Sequence, residues 1–122
     1  MQRHRAGAVL AGLALIAGLS ACGDDSGAKD GDKGDPVTID ITFKDGSVTP
    51  NGDRIDVKVG QPIDLVVTAD EPGEIHMHTD PEQELAYDAG TKTFKVEVDR
   101  PGVVVVESHA LDKTIVSLKV EP

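Results

Sequence analysis

The chain is poor in aromatic residues, with two Phe, one Tyr and no Trp among its 122 residues. Any core built from it must be packed with Val, Ile and Leu. There is one cysteine, Cys22, which has no partner within the chain. No internal disulfide can hold the fold, and no thiol is available for catalysis. Basic residues are scarce too: 12 Lys and Arg stand against 22 Asp and Glu, for a net charge of −10. That balance argues against a nucleic-acid partner and against a domain lying flat on anionic lipid, and it suits a soluble head that attracts cations. Catalytic signatures are missing as well: there is no Gly-x-Ser-x-Gly elbow, no His-Glu-x-x-His helix and no glycine-rich phosphate loop. Ser108 and His109 are adjacent, so on a strand they point to opposite faces and form no dyad. The acids are too many and too scattered to single out a pair for proton transfer. An enzyme is not expected.

What is present begins with an export signal. Arg3 and Arg5 precede about thirteen small or apolar residues from Gly7 to Leu19, a run too short and too rich in Gly and Ala for a good membrane span. The next residues complete Leu19-Ser20-Ala21-Cys22, which resembles the lipobox of bacterial lipoproteins. The resemblance implies a signal peptide over residues 1–21, removal before Cys22, and a lipid on Cys22 that holds the chain on the outer face of the cell membrane. Loss of Arg3 and Arg5 with that peptide, and of no acid, takes the charge from −10 to −12. Residues 22–36 then form the lipidated end and a linker of Gly, Asp, Ser, Ala and Lys. With no large apolar side chain to bury, the linker is expected to be a flexible tether, with a reach of roughly 20 Å. Its Asp30 to Asp35 run falls out of register with a calcium loop and has no downstream Glu to complete one.

After Pro36 the apolar period becomes two. Val37, Ile39, Ile41 and Phe43 alternate with polar residues, as do Ile55, Val57 and Val59, then Ile63, Leu65 and Val67. Further segments run through Ile75 and Met77, near Leu85 and Tyr87, and through Phe94, Val96 and Val98, with Phe43, Tyr87 and Phe94 as the core's aromatics. Val103 to Val106 is apolar on both faces, which marks a central strand, and Val116, Leu118 and Val120 close the chain. Turn signals such as Lys44-Asp45-Gly46-Ser47 and Arg100-Pro101-Gly102 separate the runs. No stretch of residues 37–122 sustains a helical period. Seven to eight short strands at this spacing predict an all-β domain, an antiparallel Greek-key β-sandwich.

One segment carries chemistry. In Gly73-Glu74-Ile75-His76-Met77-His78-Thr79, strand alternation turns Glu74, His76 and His78 to one face and Ile75 and Met77 to the other. Same-face neighbours sit roughly 6.6 Å apart, close enough for two imidazoles to converge on one ion. Neutral imidazole accepts Cu(II), Zn(II) or Ni(II), and Glu74 is placed to join as a third ligand. Met77 falls in register with Ile75 and reads as core filler, although a thioether turned to the ion would favour Cu(I). Asp80, Glu82 and Glu84 read as a solvated loop whose field draws cations.

Residues 41–120 resemble the cupredoxin-like domain found in small secreted bacterial lipoproteins. The resemblance rests on Val48-Thr49-Pro50, on Ile55 to Ile63, on Asp70 leading to Ile75-His76-Met77-His78, on Asp88-Ala89-Gly90-Thr91, on Pro101 to His109, and on Ile115 to Val120. It implies that His76 corresponds to the first copper ligand of that family and that His109 lies in the loop carrying the others. The Cys and Met of a blue-copper centre are absent from that loop, so an electron-carrier role is not implied. The expected function is capture or transfer of a transition metal, copper before zinc or nickel, by His76, His78, His109 and Glu74 in a lipid-anchored domain spanning residues 37–122. A metal-free sandwich that presents loops to a protein partner in the envelope is the alternative; there His109 serves only to cap a turn.

Overall fold

The structure is a computed structural model that describes residues 33–122. The expected signal peptide, Cys22 and most of the tether lie outside the described residues. Nine strands and no helix make up the described part: β1 (Val37–Lys44), β2 (Ser47–Thr49), β3 (Asp53–Lys58), β4 (Ile63–Ala69), β5 (Gly73–Met77), β6 (Gln83–Tyr87), β7 (Gly90–Val96), β8 (Gly102–Ser108) and β9 (Lys113–Glu121). They form a four-stranded sheet in the order β2-β1-β4-β7 and a five-stranded sheet in the order β3-β9-β8-β5-β6.

The all-β sandwich expected from the alternation is present, with two finer differences. There are nine strands, because β2 is a three-residue strand too short to show a period. The sheets are also mixed, since β1 pairs with β4 and β3 with β9 in parallel. Alternation reports which face a side chain takes, not which way the neighbouring strand runs. Here β1 and β4 are not consecutive: β2, and β3 in the opposite sheet, come between them in the chain, so nothing local to either strand sets the sense of their pairing.

The β1–β2 hairpin turns on Asp45 and Gly46, with φ of 51° and 72°. Positive φ at both central residues matches the twist of the flanking strands, and Asp-Gly is well suited to it. The Asp70 carboxylate accepts a hydrogen bond from the Asp45 amide at 2.9 Å, tying this turn to the end of β4.

Between the sheets, Ile41 of β1 and Ile63, Leu65 and Val67 of β4 meet Ile75 and Met77 of β5, Val106 of β8 and Leu118 of β9, all essentially inaccessible to solvent. Burying each such side chain contributes about 1.5–3 kcal/mol. Tyr87 stacks on Phe43 at 5.0 Å between ring centroids. Phe94, expected in the core, is only half-buried: it lies on the edge strand β7 with the Lys92 ammonium 4.8 Å above its ring. Strand β8 is central in its sheet, as its Val run predicts, yet Val103 at its start is 56% exposed because that end of the outer face is open.

Candidate metal site

Strand β5 is anchored by Ile75 and Met77, both buried, and that anchoring turns Glu74 and His76 outward. Its neighbours are β6 and β8. Their registers place Glu84 of β6 opposite His76 on one side and Glu107 of β8 opposite it on the other. His76 therefore sits in a row of carboxylates. Its Nε2 is 2.5 Å from Glu74 Oε1, and the ring is only 18% exposed. Donor atoms of Glu74, His76 and Glu84 all lie within 4.8 Å of one another. The hydrogen bond to Glu74 raises the His76 pKa above its usual 6.5; partial burial opposes this, and the charges of Glu74, Glu84 and Glu82 add to the rise.

The other expected ligands take different places. The His109 ring stacks on His76, with centroids 4.8 Å apart and planes 12° from parallel. Its backbone amide donates to the Glu74 carbonyl at 3.2 Å, so Glu74 holds one imidazole by its side chain and positions the other by its main chain. His78 lies one residue past β5, its amide donating to the Val105 carbonyl at 2.9 Å. Both of its ring nitrogens face carboxylates: Nδ1 is 2.9 Å from Glu82 and Nε2 is 2.9 Å from Glu107. The structure thus joins Glu74 and His76 in one cluster, lays His109 against them, and directs His78 to a separate pair of acids. Met77 points into the core and presents no sulfur to this face.

Three residues in these contacts were absent from the ligand set expected from sequence: Glu82, Glu84 and Glu107. Glu84 belongs to β6 and not to a loop. The signal for it was the parity of Leu85 and Tyr87, which turns Glu84 outward once β6 pairs with β5. Glu107 is reached only through the β5–β8 pairing, which joins residues far apart in the chain.

No protein-family model matches the sequence, and no curated protein does. Solved structures do. The metal-binding domain of the Streptococcus pneumoniae Cu(I)-exporting P-type ATPase CopA, solved with Cu(I), superposes with a TM-score of 0.56 at 14% identity, over 71% of this chain and 87% of that one. A methionine-to-alanine mutant of amicyanin in its Cu(I) form gives 0.52 at 11% identity, over 69% and 82%. The fold is cupredoxin-like. Reduced auracyanin from Roseiflexus castenholzii agrees, with 0.51 at 15% identity over 73% of this chain and all of that one.

A copper centre of the His₂Cys kind does not fit this cupredoxin-like domain. The described residues contain no cysteine, and the one methionine on β5 faces inward. Imidazole and carboxylate donors suit a divalent ion such as Cu(II) or Zn(II) better than the softer Cu(I). Because Met77 only fills the core, Met77→Leu is expected to leave metal affinity within about twofold and to change stability by less than about 1.5 kcal/mol. Parallel titrations with Cu(I) and Cu(II) check this: a selective loss of Cu(I) binding would make the thioether a ligand.

Proposed function

We propose that this is a lipid-anchored envelope protein, facing outside the cytoplasm, whose cupredoxin-like domain captures a divalent transition-metal ion, with copper as the expected ion. Glu74, His76 and Glu84 are the ligands, and His109 lies against the site. The observation that carries this reading is the approach of three donor atoms from two paired strands to within 4.8 Å of one another. Two of the three are carboxylates, which supply charge but little of the softness that would hold copper irreversibly. A partly exposed site of this kind gives up its ion readily, as a capture or hand-over protein must. Nothing beyond ligand exchange is required of it, and we assign it no reaction of its own.

The test is titration of the detergent-purified full chain with Cu(II) and with Zn(II), beside His76→Ala. The variant is expected to bind at least about tenfold more weakly at this site. Equal uptake by the two proteins would remove the reading and leave a metal-free interaction module. The lipid on Cys22 is checked separately by the mass of the membrane-extracted protein, which must exceed that of the unmodified chain from residue 22.

A further inference from the structure

Tyr87 ends β6 with its ring stacked on Phe43 and only 5% of its surface exposed. A phenol that deep usually has a partner for its hydroxyl, because a polar group withdrawn from water without one is costly. This one has no hydrogen-bond partner among the described residues, and it rests against Gly73, where a Cβ would collide with it. Every fully enclosed polar side-chain atom among the described residues does have a partner, so the Tyr87 oxygen must be open on one side. What it opens on is a cleft.

The cleft lies where the β1–β2 turn, the β4–β5 loop and the β8–β9 loop meet, and its open space of about 320 Å³ is at the small end of ligand-sized clefts. Phe43, Pro72 and Leu111 give it an apolar wall, and Asp70 and Glu71 are its acids. Asp70 is half committed: Oδ2 takes the Asp45 amide at 2.9 Å, and Oδ1 has no partner among the described residues. Burial, and after it the charge of Asp70, pushes the Tyr87 phenol above its usual 10.0, so the hydroxyl keeps its proton. That proton turns toward the carboxylate, which leaves a lone pair for the cleft. Two acceptors, Tyr87 Oη and Asp70 Oδ1, thus face one space with no donor. Lys44 also lines it, but one cation against two acids leaves the cleft net negative. Acceptors of net negative charge above an apolar wall match an ammonium on a short alkyl stem, which has N–H donors at one end and only carbon behind them.

We infer that this cleft binds a small primary ammonium compound, whose N–H groups donate to Tyr87 Oη and to the free Asp70 oxygen while its alkyl body packs on Phe43, Pro72 and Leu111. The hydrogen bond that Tyr87 does not make within the fold is made to the ligand. The field of an acidic domain raises the local concentration of such cations, and the enclosed hydroxyl selects the one place where they are held. No metal is needed. The cleft adjoins the Glu74, His76 and Glu84 cluster only through Gly73, which precedes Glu74, and through the loop that follows His109.

The test is titration of the full chain, with a chelator present, with n-butylamine at neutral pH, followed by backbone amide shifts in ¹H–¹⁵N spectra. Saturable shifts are expected to gather on Phe43, Asp70, Tyr87 and Leu111. 1-Butanol, which has the same stem and no charge, is expected to bind at least about tenfold more weakly. Tyr87→Phe keeps the ring and its stacking and is expected to weaken butylamine about tenfold. It should leave the melting temperature of the free protein unchanged, since the hydroxyl has no bond within the fold to lose. Asp70→Asn keeps an oxygen for the Asp45 amide and is expected to weaken butylamine about tenfold or more. Equal affinity of the parent and Tyr87→Phe for butylamine overturns the site, as does equal binding of butanol and butylamine. Shifts spread without saturation over the surface acids would show only the general attraction of an acidic protein for cations, and overturn it too. A melting temperature lowered by several degrees in Tyr87→Phe would mean that the hydroxyl is bonded within the fold, which removes the basis of the site.

Discussion

Lowering the pH from 8 to 5 is expected to weaken binding at the Glu74, His76 and Glu84 site by about thirtyfold or more. A ligating imidazole must be neutral, so each ion that binds displaces a proton wherever His76 is protonated. The pKa of His76 lies above 6.5, chiefly because Nε2 is hydrogen-bonded to Glu74, with the charges of Glu74, Glu84 and Glu82 adding to that against the opposing effect of burial. Competition therefore begins above pH 6.5 and costs about tenfold in affinity per pH unit below the folded pKa. The metal-free protein is expected to behave in the opposite sense. Because the pKa is raised on folding, the interaction of charged His76 with its acids stabilises the fold fully below 6.5 and is lost as pH rises through the folded value. Between pH 6 and 8 the melting temperature of the metal-free protein should fall, as far as His76 is concerned, while the gain conferred by saturating Zn(II) should grow. Thermal melts with and without Zn(II), for the parent and His76→Gln, check this. Parallel pH slopes with and without metal would mean that the ion does not touch His76.

Much of this face was legible in the sequence, because alternation is a property of the strand itself. Ile75 and Met77 had to point one way and Glu74 and His76 the other, and the buried methionine follows from the same parity. Strand pairing is different in kind. Which acids stand beside His76 depends on β6 and β8 taking the places on either side of β5, and nothing local to residues 73–79 specifies that. The parallel pairs β1–β4 and β3–β9 were hidden for the same reason. His78 shows the limit most clearly: parity places it on the face of His76, but the carboxylates of Glu82 and Glu107 decide which way its nitrogens turn. The half-buried Phe94 reflects a further gap, since apolar period gives no sign that a strand will lie at a sheet edge.

Replacing Gly73 by alanine is expected to destabilise the domain by about 2–4 kcal/mol, enough to lower the melting temperature of a domain this size by roughly 10 °C or more. Gly73 opens β5 directly opposite Tyr87 of β6. A Cβ placed there would run into the Tyr87 hydroxyl oxygen and lie 2.7 Å from the ring carbon that bears it. Real carbon atoms do not approach so closely, so something must move. The ring has little room to yield, because it is buried and stacked on Phe43. Overpacking of a core costs about 1–3 kcal/mol, and full expulsion of an aromatic ring about 3–5, which brackets the expected loss. The better strand propensity of alanine offsets only about 0.5–1 kcal/mol. Tyr87→Leu removes the atoms in conflict, so the double variant should lose less than the sum of the two single variants, a coupling that chemical denaturation can measure. The same strain reaches the metal site, since Glu74 follows Gly73 directly, and its carboxylate and carbonyl hold His76 and His109. Gly73→Ala is therefore expected to weaken metal binding as well, even where the protein remains folded. If stability is unchanged, Tyr87 does not pack against this strand, and the β5–β6 pairing that brings Glu84 to His76 would have to be redrawn.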